Sequence, residues 1–287
     1  MFVYFVAVGP GHTGTDAIES VLKYKQKNST LIVLNDTKSE FSVAENWVDC
    51  EIFMPTKVPS KYAQIKSTYG LLYYKKILLL DYAASKFPEA EGYIYLDDDA
   101  LLIREGLEHV TSELFQANPK IGIAGAYKLS AKDASPRDFE PVAKTISLQT
   151  GLVGLIRNRT SWKLVRTVLK RAKRNGYILG EHVLGGALIF SATFVNTLVK
   201  DELFLSPIWA DVNVPEDACF ALACCAAGFS MHDFSLPGDP LAIQWRGLSA
   251  EPDELIQSGK YLIHSTDFSA KLQQKEILDY FRAQRKN

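Results

Sequence analysis

No run of 18 uncharged apolar residues occurs in the 287-residue chain, which argues against a membrane-spanning helix. Cysteine is scarce. Cys50, Cys219, Cys224 and Cys225 show no metal-ligand spacing, and the adjacent pair lies in an Ala-rich helical run. All four read as small core residues in a reducing compartment. Neither sign of charge is in excess: 32 basic against 33 acidic side chains leave −1, so no global field draws nucleic acid. Repeats, low-complexity tracts and a splitting linker are missing, so residues 1–287 are expected to form one domain. Residues 1–8 lack the basic start of a signal sequence and break at Gly9-Pro10-Gly11, so a first strand is expected there. Triplets of glycosylation type at Asn28, Asn35 and Asn158 carry no weight in a chain expected to be cytoplasmic.

What is present is a βαβ beginning. Residues 2–8 form a continuous apolar, β-rich run, as in a strand buried on both faces, followed by a helical pattern through Ile18, Val21, Leu22 and Tyr24. A second buried strand at 30–34 ends at Asn35-Asp36. Gly9, Gly11 and Gly14 with Asp36 formally satisfy a dinucleotide fingerprint, although Pro10 removes a donor N–H that a pyrophosphate would use. Further strands are expected at 50–54 and 122–127, and helices at 61–87, 107–115 and 271–282, the last docked or loose. The spacing therefore predicts an α/β fold.

The stretch that carries chemistry is Tyr93-Ile94-Tyr95-Leu96-Asp97-Asp98-Asp99. Three carboxylates at a strand end raise one another's pKa unless a positive charge is held there, and carboxylate oxygens suit Mg2+ or Mn2+. Asp runs also cap helices, so a helix starting at Ala100 is the plainer alternative. Other segments have a similar double reading. Lys75 and Lys76 suit a solvated helix face or a phosphate. Gly185 and Gly186 allow unusual backbone angles or the close approach of a ligand. Glu216 and Asp217 open an apolar helix at 218–227, where acids favour the dipole. His264 ends a short strand at 261–266 as a structural residue or a ligand. Residues 128–146 are charged and without period, as in a mobile loop over the sheet. Residues 157–174 hold eight basic and no acidic side chains at amphipathic spacing, the pattern of a solvated helix or of one lying on an anionic membrane.

Taken in order, these motifs resemble nucleotide-sugar glycosyltransferases of the GT-A fold, with the flavour of inverting Fringe-like β-1,3-glycosyltransferases. The resemblance rests on Lys75/Lys76, Asp97-Asp98-Asp99, Gly185 to Ser191 and Glu216-Asp217-Ala218-Cys219-Phe220. It implies a mostly parallel sheet flanked by helices, with a nucleotide-binding half at 1–127, an acceptor-binding half at 128–270 and a terminal helix at 271–287. It also implies roles. Val8, Gly9, Asp36, Lys75, Lys76, Asp97, Asp98, Gly185 and Gly186 would hold a nucleotide-sugar, with UDP expected. Asp97, Asp99 and His264 would hold Mn2+ or Mg2+. Asp217 would be the base, kept ionised by its helix N-terminus. Glu216, Trp209, Trp245 and Arg246 would face a glycan, glycolipid or protein-linked acceptor. Without an anchor or disulfides, a cytoplasmic enzyme, peripheral to a membrane through Arg157 to Arg174, fits better than a secretory-pathway one. The alternatives are a retaining transferase, an NAD(P)-dependent oxidoreductase using Gly9 to Gly14, a non-catalytic sugar or nucleotide-binding module and a nucleotidyltransferase.

Overall fold

The computed structural model describes residues 1–9, 14–35, 47, 50–54 and 68–286. Strand β1 (Phe2–Val8) lies at the heart of a seven-stranded sheet, between β2 (Thr30–Asn35) and β4 (Gly92–Leu96), both parallel to it. Its unbroken apolar run has a direct cause. Val3 and Phe5 enter one core, and Phe2, Tyr4, Val6 and Val8 enter the core on the opposite face. Helix α1 (Thr15–Tyr24) joins β1 to β2, and β3 (Cys50–Phe53) adds to the outer side of β2. Helix α2 (Thr68–Lys86) leads into β4, the short β5 (Leu101–Leu102) follows it, and α3 (Leu107–Ala117) precedes β6 (Ile121–Gly125).

Three helices come next: α4 (Glu140–Thr150), α5 (Leu152–Arg157) and α6 (Arg159–Arg174). Strand β7 (Ala187–Ser191) then inserts antiparallel between β4 and β6. Helices α7 (Ala192–Leu198) and α8 (Glu202–Leu205), a 3-10 turn (Pro207–Asp211) and α9 (Glu216–Ala226) lead to the edge strand β8 (Ser230–Asp233). The resulting order, β3-β2-β1-β4-β7-β6-β8, is parallel except at β7. A smaller sheet, β5-β10-β9, is built from β9 (Leu241–Ile243) and β10 (Leu262–His264), with α10 (Pro252–Gln257) between them. The expected α/β fold with a mostly parallel sheet is borne out. Strand order reverses at β1, so the crevice at the carboxyl ends of β1 and β4 is where such sheets take ligands.

Several expectations change. The triplet opens a turn into β5 and no helix starts at Ala100. Residues 128–146 are anchored and helical in their last third: the Asp233 carboxylate accepts from the N–H groups of Tyr127, Lys128 and Leu129, and α4 begins at Glu140. The last helix, α11 (Gln274–Lys286), is docked. Ile277 and Phe281 are buried, and Arg282 and Arg285 both grip Asp16 of α1, at 2.6 Å each. The apolar stripe of α6 (Leu164, Val165, Val168, Leu169) lies in the main core, so it cannot also meet a membrane. No helix among the described residues is long and apolar enough to cross a membrane. Residues 61–67 of the expected helix at 61–87 lie outside the described residues.

Trp209 overturns its sequence reading most plainly. It is fully buried, its ring 4.7 Å from that of Tyr73, and its indole N–H donates to the Leu203 carbonyl at 3.0 Å. It is core, not an acceptor contact. Replacing it with Ala removes one of the largest buried side chains, so Trp209→Ala should lower unfolding free energy by about 3–5 kcal/mol in urea titrations.

Candidate active site

Strand register builds the site. In the β4–β7 pair Leu96 stands opposite Ala187, and the ladder runs one step further, with the Asp97 N–H donating to the Gly186 carbonyl at 3.1 Å. The acidic turn therefore abuts the Gly-Gly dipeptide. In the smaller sheet Ile263 pairs with Leu101, which sets His264 beside the same turn. Thr266 secures it, donating to the Asp99 carbonyl from its N–H at 3.0 Å and its hydroxyl at 3.1 Å.

Asp97, Asp99 and His264 consequently offer ligand atoms within 4.8 Å of one another. The His264 Nδ1 lies 2.5 Å from the Gln244 carbonyl, so its proton belongs there, and Nε2 faces Asp99 at 3.1 Å. Burial raises the Asp99 carboxyl, but the hydrogen bond and charge of His264 outweigh it and hold the group below the ordinary range. Burial depresses His264, and Asp99, then Asp97, more than reverse that. Two carboxylates and an imidazole oriented by a carbonyl form a donor set that suits Mn2+ or Mg2+.

The second group lies on α9 and α2. Lys76 is buried, its ammonium 3.5 Å from Glu216, 3.9 Å from Asp97 and 3.9 Å from the centre of the Tyr95 ring. No hydrogen-bond partner among the described residues satisfies it. Lys75 is half-buried on the adjacent face of α2. Asp97 keeps about a third of its side chain open to the cleft, at 35%. Burial of its surroundings still moves its pKa to about 6, Lys76 and His264 opposing and Glu216 and Asp99 adding to the shift. Asp217 is raised to about 7, by burial first and the Glu216 charge second. The expectation that a helix N-terminus keeps Asp217 acidic is overturned. Its own turn supplies one N–H, from Ala218 at 2.7 Å, which is outweighed by desolvation.

The glycines explain how the two groups coexist. A Cβ on Gly185 would sit 2.9 Å from a Glu216 oxygen and 3.5 Å from the Asp217 Cβ. One on Gly186 would lie 2.3 Å from the His264 ring, inside van der Waals contact. Asp217 and His264 thus flank consecutive residues of one dipeptide.

Two residues were missed in the sequence. His182 lies 3.6 Å from Asp217, and Arg137 donates to His182 Nε2 at 3.0 Å. Arg137 is held by the carbonyls of Ala126, Tyr127 and His182. His182 Nδ1 meets the Gly180 carbonyl at 2.8 Å, and burial lowers its pKa to about 4, so the ring is neutral at pH 7. The one available signal was Arg137's place in a segment already marked as facing the sheet.

The remaining expectations sort simply. Val8 is core and half-buried Gly9 ends β1 at the crevice; Asp98 packs near Gly14. Asp36 and Gly11 lie outside the described residues. Trp245 (77% exposed) and Arg246, stacked at 5.4 Å, follow Gln244 beside the His264 ring.

Compared by sequence, the chain matches no protein-family model and no curated protein. Among solved structures it is similar to the apo form of WbbM, a bifunctional glycosyltransferase, at 12% identity and a TM-score of 0.49. That match covers 100% of this chain and 50% of the other, so the chain spans half its length. It is also similar to a glycosyltransferase involved in glycosylating the major capsid of PBCV-1, at 11% identity, a TM-score of 0.43 and 98% coverage of both chains. Likeness at this level transfers no activity, and the chemistry must be argued from the site.

Asp217 offers a test of the electrostatics that needs no substrate. An acid whose folded pKa is raised opposes folding wherever the unfolded chain ionises it. The penalty is absent below its ordinary 3.8 and grows until pH passes about 7. Asp217→Asn should therefore melt higher than the parent protein at about pH 8, by on the order of 2–4 kcal/mol, with the gap closing toward about pH 4. Calorimetry across that range checks it.

Proposed function

We propose that the chain is a metal-dependent glycosyltransferase of the GT-A type, moving a sugar from a UDP-sugar to a hydroxyl of a glycan, glycolipid or protein-linked acceptor. The observation that carries this reading is the Asp97–Asp99–His264 cluster set one residue away from the buried carboxyl of Asp217. Asp97, Asp99 and His264 would hold Mn2+, or Mg2+ in its place. When bound, the cation supplies the charge that offsets the leaving nucleoside diphosphate. It would also draw the Asp97 carboxyl back to the ionised state, which its present surroundings disfavour.

The protein's own residues account for the rest. The crevice between β1 and β4 receives the nucleotide, with Gly9 and Asp98 at its wall. Lys76 sets a buried ammonium, without a hydrogen-bond partner among the described residues, between Asp97 and Glu216, where its charge favours an anionic ligand beside them. Asp217 takes the proton from the acceptor hydroxyl as its oxygen bonds to the anomeric carbon. The bond from that carbon to the diphosphate oxygen breaks with its electron pair. A carboxyl raised to about 7 is a stronger base than an ordinary one yet is substantially ionised at neutral pH. This favours inversion. Trp245 and Arg246 are acceptor-side candidates. An oxidoreductase using Gly9 to Gly14 would leave the acidic cluster and Lys76 without a task.

Thermal shifts with MnCl2 present or chelated test the reading. UDP should raise the Tm only with Mn2+, and the shift should vanish in Asp99→Ala. Asp217→Asn should keep the shift while turnover with the identified donor falls about 10²–10⁴-fold. A metal-independent response to NAD alone would transfer the case to the oxidoreductase.

A further inference from the structure

The corner where α4 turns into α5 carries an apolar ridge that the fold leaves uncovered. Leu148 is 56% exposed, Leu152 76%, Val153 41% and Ile156 83%. Four of the nine large exposed hydrophobics among the described residues thus fall within nine positions. Leu152 and Ile156, four residues apart in α5, share one side of that helix, and Leu148 lies in the last turn of α4 before the corner. The corner is fixed to α6: the Trp162 indole N–H donates to the Thr150 carbonyl at 2.8 Å, and the Gln149 amide donates to the Ser161 hydroxyl at 3.2 Å. The ridge is therefore a standing feature of the surface.

Its surroundings are cationic. Because the apolar stripe of α6 is turned into the core, its outer side consists of charge, with Arg157, Arg159, Lys163 and Arg166 all exposed near the ridge. Residues 140–174 hold nine basic side chains and one acid, Glu140, which is paired with Lys144 at 2.8 Å. The rest of the chain carries 23 basic against 32 acidic side chains. A near-neutral protein thus has a strongly polarised surface, with its positive pole around its apolar ridge. A nucleic acid would use the cations and leave the ridge idle. An acidic headgroup layer over acyl chains uses both.

We propose that this corner docks the protein on an anionic lipid surface, with Leu152 and Ile156 entering the headgroup boundary and Arg157, Arg159, Lys163 and Arg166 meeting lipid phosphates. The position has a consequence for the site. The Asn213 N–H reaches the Gln149 side chain at 3.4 Å, and the Asn158 amide donates to Asp211 at 3.3 Å. Three residues beyond Asn213 is Glu216, a span of at most about 11 Å. Docking would bring Asp217 close to the bilayer, where a lipid-linked acceptor presents its sugar. That last link rests on the transferase reading; the docking does not.

Sedimentation of the full chain with vesicles tests it. Phosphatidylcholine vesicles containing phosphatidylglycerol should capture the protein, and phosphatidylcholine alone should not. Leu152→Ser/Ile156→Ser and Arg157→Glu/Lys163→Glu should each weaken capture about tenfold or more, with the Tm unchanged because these side chains face solvent. Absence of capture, capture by neutral vesicles alike, or capture that survives both pairs of substitutions would overturn the proposal. So would a lipid-free dimer, seen by sedimentation equilibrium, that Leu152→Ser/Ile156→Ser dissociates, since the ridge would then belong to a second copy. Failure of the UDP–Mn2+ thermal shift with vesicle capture intact would count against the transferase reading alone.

Discussion

Four carboxyls crowd one cleft, and the cost of burying them together governs the molecule's centre. Asp97, Asp99, Glu216 and Asp217 face one buried ammonium, Lys76, and one imidazole, His264. Burial first, and the neighbouring carboxylates after it, push Asp97 and Asp217 upward against the opposing positive charges. Asp99, directly hydrogen-bonded to His264, is pushed the other way. A cluster of this kind opposes folding, and the large sheet tolerates it because each member sits on an element secured elsewhere. Asp97 ends a central strand; Asp217 begins a helix whose remaining turns are core. The local penalty is set against burial along those elements.

Distance along the chain makes this arrangement dependent on register. Residues 97–99, 185–186, 216–217 and 264 come from four segments, and two strand pairings, β4–β7 and β5–β10, with the packing of α9 on α2, bring them together. A slip of one residue in β4–β7 would exchange the side chains that β7 presents to the two cores and separate Asp97 from the glycines. The absence of side chains at Gly185 and Gly186 is what lets carboxyls approach from one side and an imidazole from the other.

Much of this was legible beforehand, for physical reasons that differ by element. β1, β2 and β4 announced themselves as apolar runs because both faces of a central strand are buried. The Asp triplet, the Gly-Gly pair and the Glu-Asp start of a helix are local patterns, and each is found where its pattern put it. What composition and spacing could not supply was the neighbour. Trp209 has the chemistry of a sugar platform, yet it is packed into the core against Tyr73 of α2. Asp217 looked like a dipole-stabilised carboxylate because a helix N-terminus is visible in sequence, whereas burial and Glu216 are properties of the fold. The basic helix showed its amphipathic stripe but not that the core would claim it.

Arg137 and His182 show what such neighbours contribute. A carboxylate in hydrogen-bonding range of a donor imidazole would be pinned and weakened as a base. Here Arg137 donates to the one ring nitrogen that faces Asp217, and the other nitrogen is committed to the Gly180 carbonyl. His182 therefore has no proton to offer Asp217, and the 3.6 Å between them is not a hydrogen bond. Arg137 in turn is kept from Asp217 by three carbonyls that occupy one of its terminal nitrogens. Its charge still acts at a distance, opposing part of the upward shift. Arg137 thus restrains the pKa of Asp217 without bonding to it, and His182 keeps that guanidinium at one remove. A general base needs that condition: charged often enough to act, with Oδ2, the oxygen facing His182, given no proton by that ring while Oδ1 accepts from the Ala218 N–H.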